Sequence, residues 1–153
     1  KKINDIAEFS AAAKDKYDYI YMKHVLEHIP KEESINTLKS IRNLLTDGGM
    51  FMVAVPNAQS NTNAYWMYED FTHYTLYTAG SLLYVLKSAG FSGVSILDPK
   101  NIEGDSIFKK IIKMFFLKIY ELKIDFWNKI TSSSYHNPSP RVYSFEVKAL
   151  AKK

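Results

Sequence analysis

The chain has 153 residues, the size of one domain or of part of one. Hydrophobic residues make up 46% and charged residues 24%, which excludes a disordered chain, and the absence of cysteine excludes disulfide bonds and thiolate metal sites. The net charge of +4 is too small to predict nucleic-acid binding, and with no cysteine, signal peptide or membrane-spanning apolar run we expect a cytoplasmic protein.

The first half of the chain alternates predicted strands and helices, which is typical of an α/β fold. The strands are predicted from β propensity and the helices from apolar residues at helical spacing. The predicted elements are a strand remnant at 1–6, a helix at 7–14, a strand at Tyr17–Met22, a helical turn at 25–29 ended by Pro30, and an amphipathic helix at Ser34–Leu45 ended by Asp47-Gly48-Gly49.

The second half continues this alternation and adds one long helix. The continuously apolar run at Met50–Val55 predicts a strand that is buried on both faces. The further predictions are a polar loop at 57–64, a helix at 78–89 capped by Thr78 and closed by Gly90, a strand at 93–97, a helix at 104–130, a loop at 131–140, and a last strand at 142–151 with one wetter face.

Titratable side chains follow the predicted strand Tyr17–Met22 directly. They are Lys23, His24, Glu27 and His28. In open α/β sheets, ligands bind outside the carboxyl ends of the strands. The sequence therefore predicts a functional site at this strand end.

A family resemblance extends this interpretation. The stretch Y-D-Y-I-Y-x-x-x-x-L-E-H-I-P, a helix, and then L-L-x-x-G-G-x-F-x-V-A-V-P-N resembles the second half of a class I S-adenosylmethionine-dependent methyltransferase. The match continues through Asp70–His73 and Leu86–Phe91 and covers most of residues 1–97. The resemblance implies a Rossmann-like sheet with flanking helices and an antiparallel last strand, in which Tyr17–Met22 is the fourth strand and Met50–Val55 the fifth.

Two signatures of that family have no counterpart in these 153 residues. They are the glycine-rich turn after the first strand and the acidic residue that binds the ribose. We therefore expect residues 1–153 to be one domain, the C-terminal part of a methyltransferase domain, that lacks the first two strand–helix units and does not bind the cofactor fully by itself. The missing first strand would leave Tyr17–Met22 as an open edge, so we expect the chain to form a homodimer, swap elements or aggregate unless the missing half is present.

The resemblance implies that S-adenosylmethionine is the cofactor. At the positions of this sequence that match the family pattern, Asp5 and Ile6 would contact the adenine. Met22, Lys23 and His24 would form the lip at the methionine end. Two structural alternatives stay open: Asp5 caps the following helix, and Lys23 is a solvated loop lysine.

Two histidines are the candidate catalytic residues, because the pKa of histidine lies near neutral pH. His73 is the first choice for the base that takes a proton from the acceptor, with Asp70 to orient it. His28 belongs to the Glu-His pair of the family and is the second candidate. The alternatives are structural: His28 fixes the strand-to-helix turn, and His73 anchors a loop.

Aromatic residues near the predicted cleft are candidates for stacking on a sugar ring or an aromatic acceptor. Tyr65, Tyr68 and Tyr77, together with Asp70, are the predicted substrate-binding residues, although aromatic residues also suit a core. The resemblance implies a small-molecule or sugar acceptor, with a role in cell-surface polysaccharide biosynthesis.

We predict no metal site, because the four histidines are scattered along the sequence. His24 and His28 have the i, i+4 spacing of two zinc ligands on a helix, but they lack the flanking glutamate of a His-Glu-x-x-His site.

The Lys-rich segment 104–130 is the least family-like part of the chain. Three interpretations stay open: a lid inserted between the last two strands, a helix that lies on a membrane surface, or a helix that packs on the domain or on another subunit. A rival to the enzyme interpretation is a non-catalytic fragment that serves as an interaction module.

Overall fold

In the computed structural model, residues 6–136 and 139–153 are described. Residues 1–5 of the strand remnant predicted at 1–6, among them the adenine-binding candidate Asp5, lie outside the described residues. Ile6, the other adenine-binding candidate, is the first residue of the first helix and packs on the core.

The described chain forms four strands, five α-helices and one short 3-10 helix, in nearly the predicted order. They are α1 (Ile6–Ala12), β1 (Tyr17–Lys23), the 3-10 helix (Leu26–His28), α2 (Lys31–Leu44), β2 (Leu45–Pro56), α3 (Tyr65–Glu69), α4 (Ala79–Ser88), β3 (Ser92–Leu97), α5 (Ile107–Ile130) and β4 (Glu146–Lys152).

The four strands form one mixed sheet in the order β1-β2-β4-β3. β1 and β2 are parallel, and β4 runs antiparallel to both β2 and β3. This arrangement confirms the predicted α/β fold with an antiparallel last strand. It also brings the carboxyl ends of β1 and β2 to the same edge of the sheet, where polar side chains follow β1.

The core lies between the sheet and helices α2 and α4. Leu38 of α2 and Leu82 and Leu86 of α4 are fully buried, because their helical spacing turns one apolar face toward the sheet. Phe51 of β2 stacks on Phe91 with ring centroids 5.4 Å apart. Thr78 caps α4 with a reciprocal pair of bonds to Ser81, as the sequence predicts for this N-cap.

The prediction that Asp47-Gly48-Gly49 ends α2 is wrong. The helix ends at Leu44, and Leu45 already has extended backbone angles. The two glycines instead belong to a bulge in β2, since Leu45 pairs with Tyr17 but Met50 pairs with Tyr19. A Cβ at Gly49 would lie 3.1 Å from the carbonyl oxygen of Tyr17, so the bulge requires a glycine there.

The last strand is shorter than predicted, but its wetter face is confirmed: Lys148 and Leu150 are partly exposed and Lys152 is exposed, whereas Val147, Ala149 and Ala151 are buried. β4 begins at Glu146, which is only 6% exposed. The preceding residues bond to a side chain instead of a strand: the Asn57 amide donates to the carbonyls of Val142 and Ser144, each at 2.8 Å.

β1 lies at one edge of the described sheet, where it pairs with β2 only. Tyr17, Tyr19 and Tyr21 of this strand are about half exposed. The open, tyrosine-rich edge is the one that the sequence predicts for a sheet without a neighbour on this side.

α5 extends over 24 residues between β3 and β4 and has no fully buried residue. None of the described helices is both long enough and apolar enough to cross a membrane.

Candidate functional site

The site begins where β1 ends, at His24. The backbone of His24 has φ = 50°, a left-handed conformation that is uncommon for residues other than glycine. The chain turns away from the sheet at this residue. The imidazole Nε2 lies 2.6 Å from Oε1 of Glu146, and Nδ1 lies 3.2 Å from Oε1 of Glu27. Lys23 adds an ion pair of 3.2 Å to Glu146. The candidate cofactor residues Lys23 and His24 therefore direct their side chains to Glu146.

Glu146 stays ionised although it is nearly buried. Burial by itself would raise the pKa of its carboxyl group, but hydrogen bonds and charge from Lys23 and His24 outweigh this effect and lower the pKa below its ordinary value. Sequence reasoning missed Glu146, because in the alternating pattern of the last strand it was assigned to the wetter face. The available signal was that Glu146 is the only acidic residue of this central strand.

Glu27 is fully buried on the 3-10 helix that follows β1. Its Oε2 has no hydrogen-bond partner among the described residues. Its backbone carbonyl accepts a bond of 2.8 Å from the amide of Tyr74 and so ties the loop after α3 to the strand end. A buried carboxylate oxygen without a partner is unfavourable unless a cationic or donor group binds beside it.

His73, the first catalytic candidate, lies next to Glu27. Its Nδ1 is 2.5 Å from the carbonyl oxygen of Trp66, and because a carbonyl only accepts, Nδ1 carries the proton. Nε2 is therefore the nitrogen with a free lone pair in the neutral ring. It lies 4.0 Å from Oε1 of Glu27 and 3.8 Å from Oδ2 of Asp70, and the side chain is only 5% exposed.

His28 is held in the same way from the opposite side. Thr72 donates its hydroxyl proton to Asp70 at 2.6 Å, so the Thr72 hydroxyl is free to accept from Nδ1 of His28 at 2.8 Å. The rings of His28 and His73 are 4.5 Å apart. Hydrogen bonds from the Thr72 side chain and amide lower the pKa of Asp70, which keeps this exposed carboxyl group charged.

These residues surround a cavity of about 230 Å³ at the carboxyl end of β1. The cavity combines imidazole and carboxylate groups with an apolar wall. Its lining consists of His24, Glu27, His28, Pro56, Trp66, Asp70, His73 and Phe145. The fold thus brings together both predicted catalytic histidines, which are 45 positions apart in the sequence numbering.

The same cluster could hold a metal ion, which the scattered histidines of the sequence did not suggest. One ligand atom each from Glu27, His28 and His73 lies within 4.8 Å of the other two. Two imidazoles and a carboxylate suit zinc and other divalent transition metals. His24, the partner that the sequence spacing indicated for His28, bonds to Glu146 instead.

The other predicted site residues divide into exposed and buried groups. Tyr65 and Tyr68 are exposed on α3, and their role in substrate binding stays a prediction. Tyr77 is 2% exposed, belongs to the hydrophobic core and bonds to Ser34 at 3.3 Å. Its prediction as a stacking residue is wrong, because the ring is covered by the core. Met22 is partly buried and also packs on the core.

A second cavity, of about 640 Å³, lies between α5 and the loop after β2. Amide and hydroxyl groups and aromatic rings dominate its lining. Among them are Gln59, Ser60, Asn61, Tyr120, Trp127 and Asn128. Sequence reasoning did not predict this cavity, because its two walls are far apart along the chain.

The mixed sheet, the helices on its faces and the polar strand end define a Rossmann-like α/β domain with a site at the carboxyl ends of its parallel strands. A family model described as a methyltransferase domain matches residues 1–96, more than half of the chain. The chain belongs to this family, which confirms the resemblance found in the sequence.

Solved structures share the fold. The chain is similar to a SAM-dependent methyltransferase from Archaeoglobus fulgidus (TM-score 0.64, 22% identity, 98% of this chain and 66% of that chain). It is also similar to PigF, solved with SAH (0.56, 13%, 97% and 33%), and to a possible histamine N-methyltransferase from Thermotoga maritima (0.54, 12%, 94% and 60%). The chain spans less than two thirds of each of these proteins. No curated protein matches the chain.

Proposed function

We propose that this chain is the acceptor-side part of a methyltransferase that uses S-adenosylmethionine and methylates a small molecule or a sugar. One observation carries the proposal: Nε2 of the nearly buried His73 has a free lone pair, and His73 lines the cavity at the carboxyl end of β1. Membership of the methyltransferase family and the SAH in the similar PigF structure support the choice of cofactor.

The residues at the end of β1 fit a cationic cofactor. The unpartnered, fully buried Oε2 of Glu27 is an acceptor that a positively charged group would satisfy. Met22, Lys23 and His24 would hold the methionine end through backbone groups, since the side chains of Lys23 and His24 are bonded to Glu146. When bound, S-adenosylmethionine supplies a methyl carbon for attack by the acceptor, with the carbon–sulfur electron pair left on sulfur.

His73 acts as the base in this proposal. The Trp66 carbonyl fixes the tautomer with the proton on Nδ1, so Nε2 receives the proton of the acceptor hydroxyl or amine as the new bond to carbon forms. The imidazolium that results carries its charge close to Glu27 and Asp70, and both carboxylates stabilise it. His28 and Thr72 position Asp70 and act through it.

The second cavity supports a sugar as the acceptor. Amide and hydroxyl side chains such as Gln59, Asn61 and Asn128 suit a ligand with many hydroxyl groups, and Trp127 offers a ring for stacking. We therefore propose the methylation of a sugar, as in the biosynthesis of cell-surface polysaccharides.

The cofactor site is completed by sequence outside these 153 residues in this proposal. The chain covers 66% of the Archaeoglobus protein and 33% of PigF, and its sequence has no glycine-rich turn after a strand. The open edge of β1 is the place where the additional strands would pair.

Calorimetric titration with S-adenosylhomocysteine tests the proposal. It is performed on this chain and on the longer product of the same reading frame. We expect binding by the longer protein and weak or no binding by the chain alone. Binding by neither would sink the enzyme proposal and favour the interaction module.

A further inference from the structure

Helix α5 has one face on the domain and one face away from it. The inner face is anchored by the ring of Tyr120, which packs edge-to-face on Tyr143 at 5.2 Å, and by Lys113, which donates to the carbonyl of Asn101 at 2.7 Å. Partly buried residues recur along this face at three- and four-residue spacing. The rotation of the helix on the domain is therefore fixed.

The opposite face is apolar and open. Six large side chains occupy about 100° of the helix circumference at 3.6 residues per turn, and each is between 49% and 62% exposed. These residues form what we call the outer stripe: Ile111, Phe115, Ile119, Leu122, Phe126 and Ile130. A contiguous apolar surface of this kind marks a binding surface, because single exposed apolar residues do not align in this way.

Lysines border the outer stripe on both sides. By helical position, Lys118 and Lys129 lie along one edge and Lys123 lies along the other. The helix contains six lysines against one glutamate and one aspartate, so its excess of four positive charges equals the formal net charge of the whole chain.

We propose that the outer stripe of α5 lies in the surface of an anionic lipid membrane, with the bordering lysines among the lipid headgroups. An apolar stripe flanked by cations fits an interface where hydrocarbon meets negative charge. A second copy of the chain fits less well, because pairing two such stripes would bring the lysine borders of both copies together. The helix lies on the membrane and does not cross it, since the lysines recur throughout its length.

Membrane binding by α5 would affect the position of the cavity that we propose for the acceptor. Tyr120 of α5 bonds to Asn61 in the loop after β2, at the wall of the cavity of about 640 Å³. A membrane-bound α5 would hold that cavity close to the lipid surface. The inference does not depend on methyl transfer, and a chain without activity would still bind.

Co-sedimentation of the full 153-residue chain with vesicles tests the proposal. We expect the chain to bind vesicles of phosphatidylcholine mixed with phosphatidylglycerol, and to bind pure phosphatidylcholine much less. Binding should weaken as NaCl is raised, because salt screens the lysine contacts. A chain that stays in the supernatant with the anionic vesicles contradicts the proposal.

A matched pair of substitutions tests the stripe itself. Phe115→Gln removes one aromatic side chain from the stripe, and Tyr84→Gln removes an equally exposed one from α4. We expect the first to lower the vesicle partition coefficient about ten-fold and the second to leave it within about two-fold. Circular dichroism checks that both fold. Equal partitioning of Phe115→Gln and the unaltered chain would overturn the proposal.

A pair of double substitutions tests whether vesicle binding depends on the position of the lysines or only on the net charge of the chain. Lys118→Glu with Lys123→Glu reverses both borders of the stripe, whereas Lys31→Glu with Lys39→Glu makes the same net change on α2. Loss of binding in the first pair alone supports the proposal, and equal loss in both contradicts it. Light scattering covers the alternative: a dimer that Phe115→Gln converts to a monomer would show that a second copy occupies the stripe.

Discussion

The imidazole Nε2 of His24 lies 2.6 Å from Oε1 of Glu146, although the two residues are 122 positions apart in the chain. The contact joins the end of β1 to the beginning of β4. Glu146 also pairs with Pro56, the last residue of β2, so three strands meet at this carboxylate. Glu146 therefore holds together the edge of the sheet at which the candidate site is formed.

Replacing Glu146 with glutamine should destabilise the domain and change its response to pH. The amide keeps the shape but loses the charge that Lys23 and His24 neutralise, so we expect a loss of about 1–3 kcal/mol at neutral pH in urea unfolding. The folded-state pKa of Glu146 lies below its ordinary value of 4.5, so its contribution is fully present above that value and disappears as the pH falls through the lowered pKa.

The matched control for this experiment is Glu32→Gln, which removes an exposed carboxylate from the first turn of α2. Its effect on the unfolding free energy should stay within about 0.5 kcal/mol at every pH. A difference between Glu146→Gln and the unaltered chain that persists undiminished at pH 3 would contradict the role assigned to this carboxylate.

Local patterns in the sequence predict most of the fold. The helical spacing of Leu82 and Leu86 and the cap at Thr78 are properties of neighbouring residues, and the structure has both as predicted. The errors arise where distant contacts decide. Gly48 and Gly49 look like a helix end but form a bulge against Tyr17, and the residues before Glu146 bond to Asn57 instead of continuing the strand.

The candidate site was only partly predictable for the same reason. Resemblance and strand order indicated His28 and His73, but their 4.5 Å ring contact depends on the loop that returns to Glu27. The core position of Tyr77 and the burial of Glu146 depend on how the helices and strands pack. No local pattern contains that information.

Gly49→Ala should destabilise the chain more than Gly48→Ala. A Cβ at Gly49 would lie 2.9 Å from the carbonyl of Thr46 and 3.1 Å from that of Tyr17, and backbone cannot move without breaking the bulge. A Cβ at Gly48 would meet, among the described residues, only the flexible side chain of Lys152 at 3.7 Å, so the cost is the strain of its φ of 81°. We expect about 2–3 kcal/mol against about 1–2 kcal/mol in urea unfolding. The reverse order would contradict the bulge.

His73→Gln should slow methyl transfer strongly without changing the affinity for the cofactor. Glutamine keeps a polar group near Trp66 but does not accept a proton, so kcat should fall about 10²–10⁴-fold. The assay uses the longest form of the protein that binds S-adenosylhomocysteine, and the affinity for that ligand should be unchanged. Glu32→Gln, which changes an exposed side chain of α2 outside both cavities, is the control. Equal activity of His73→Gln and the unaltered protein would remove His73 from the mechanism.

Zinc should inhibit the reaction, and a chelator should not. If Nε2 of His73 must be free to take a proton, an ion bound by Glu27, His28 and His73 occupies the base. EDTA should leave the rate unchanged, and micromolar Zn²⁺ should lower it.

A ligand variant tests whether the zinc binds at this cluster. His28→Gln removes one ligand and should weaken the inhibition by zinc about ten-fold or more, measured against the variant's own uninhibited rate. His136→Gln should not weaken the inhibition. A rate that falls with EDTA and returns with Zn²⁺ would instead make the ion a participant in the reaction and His73 its ligand.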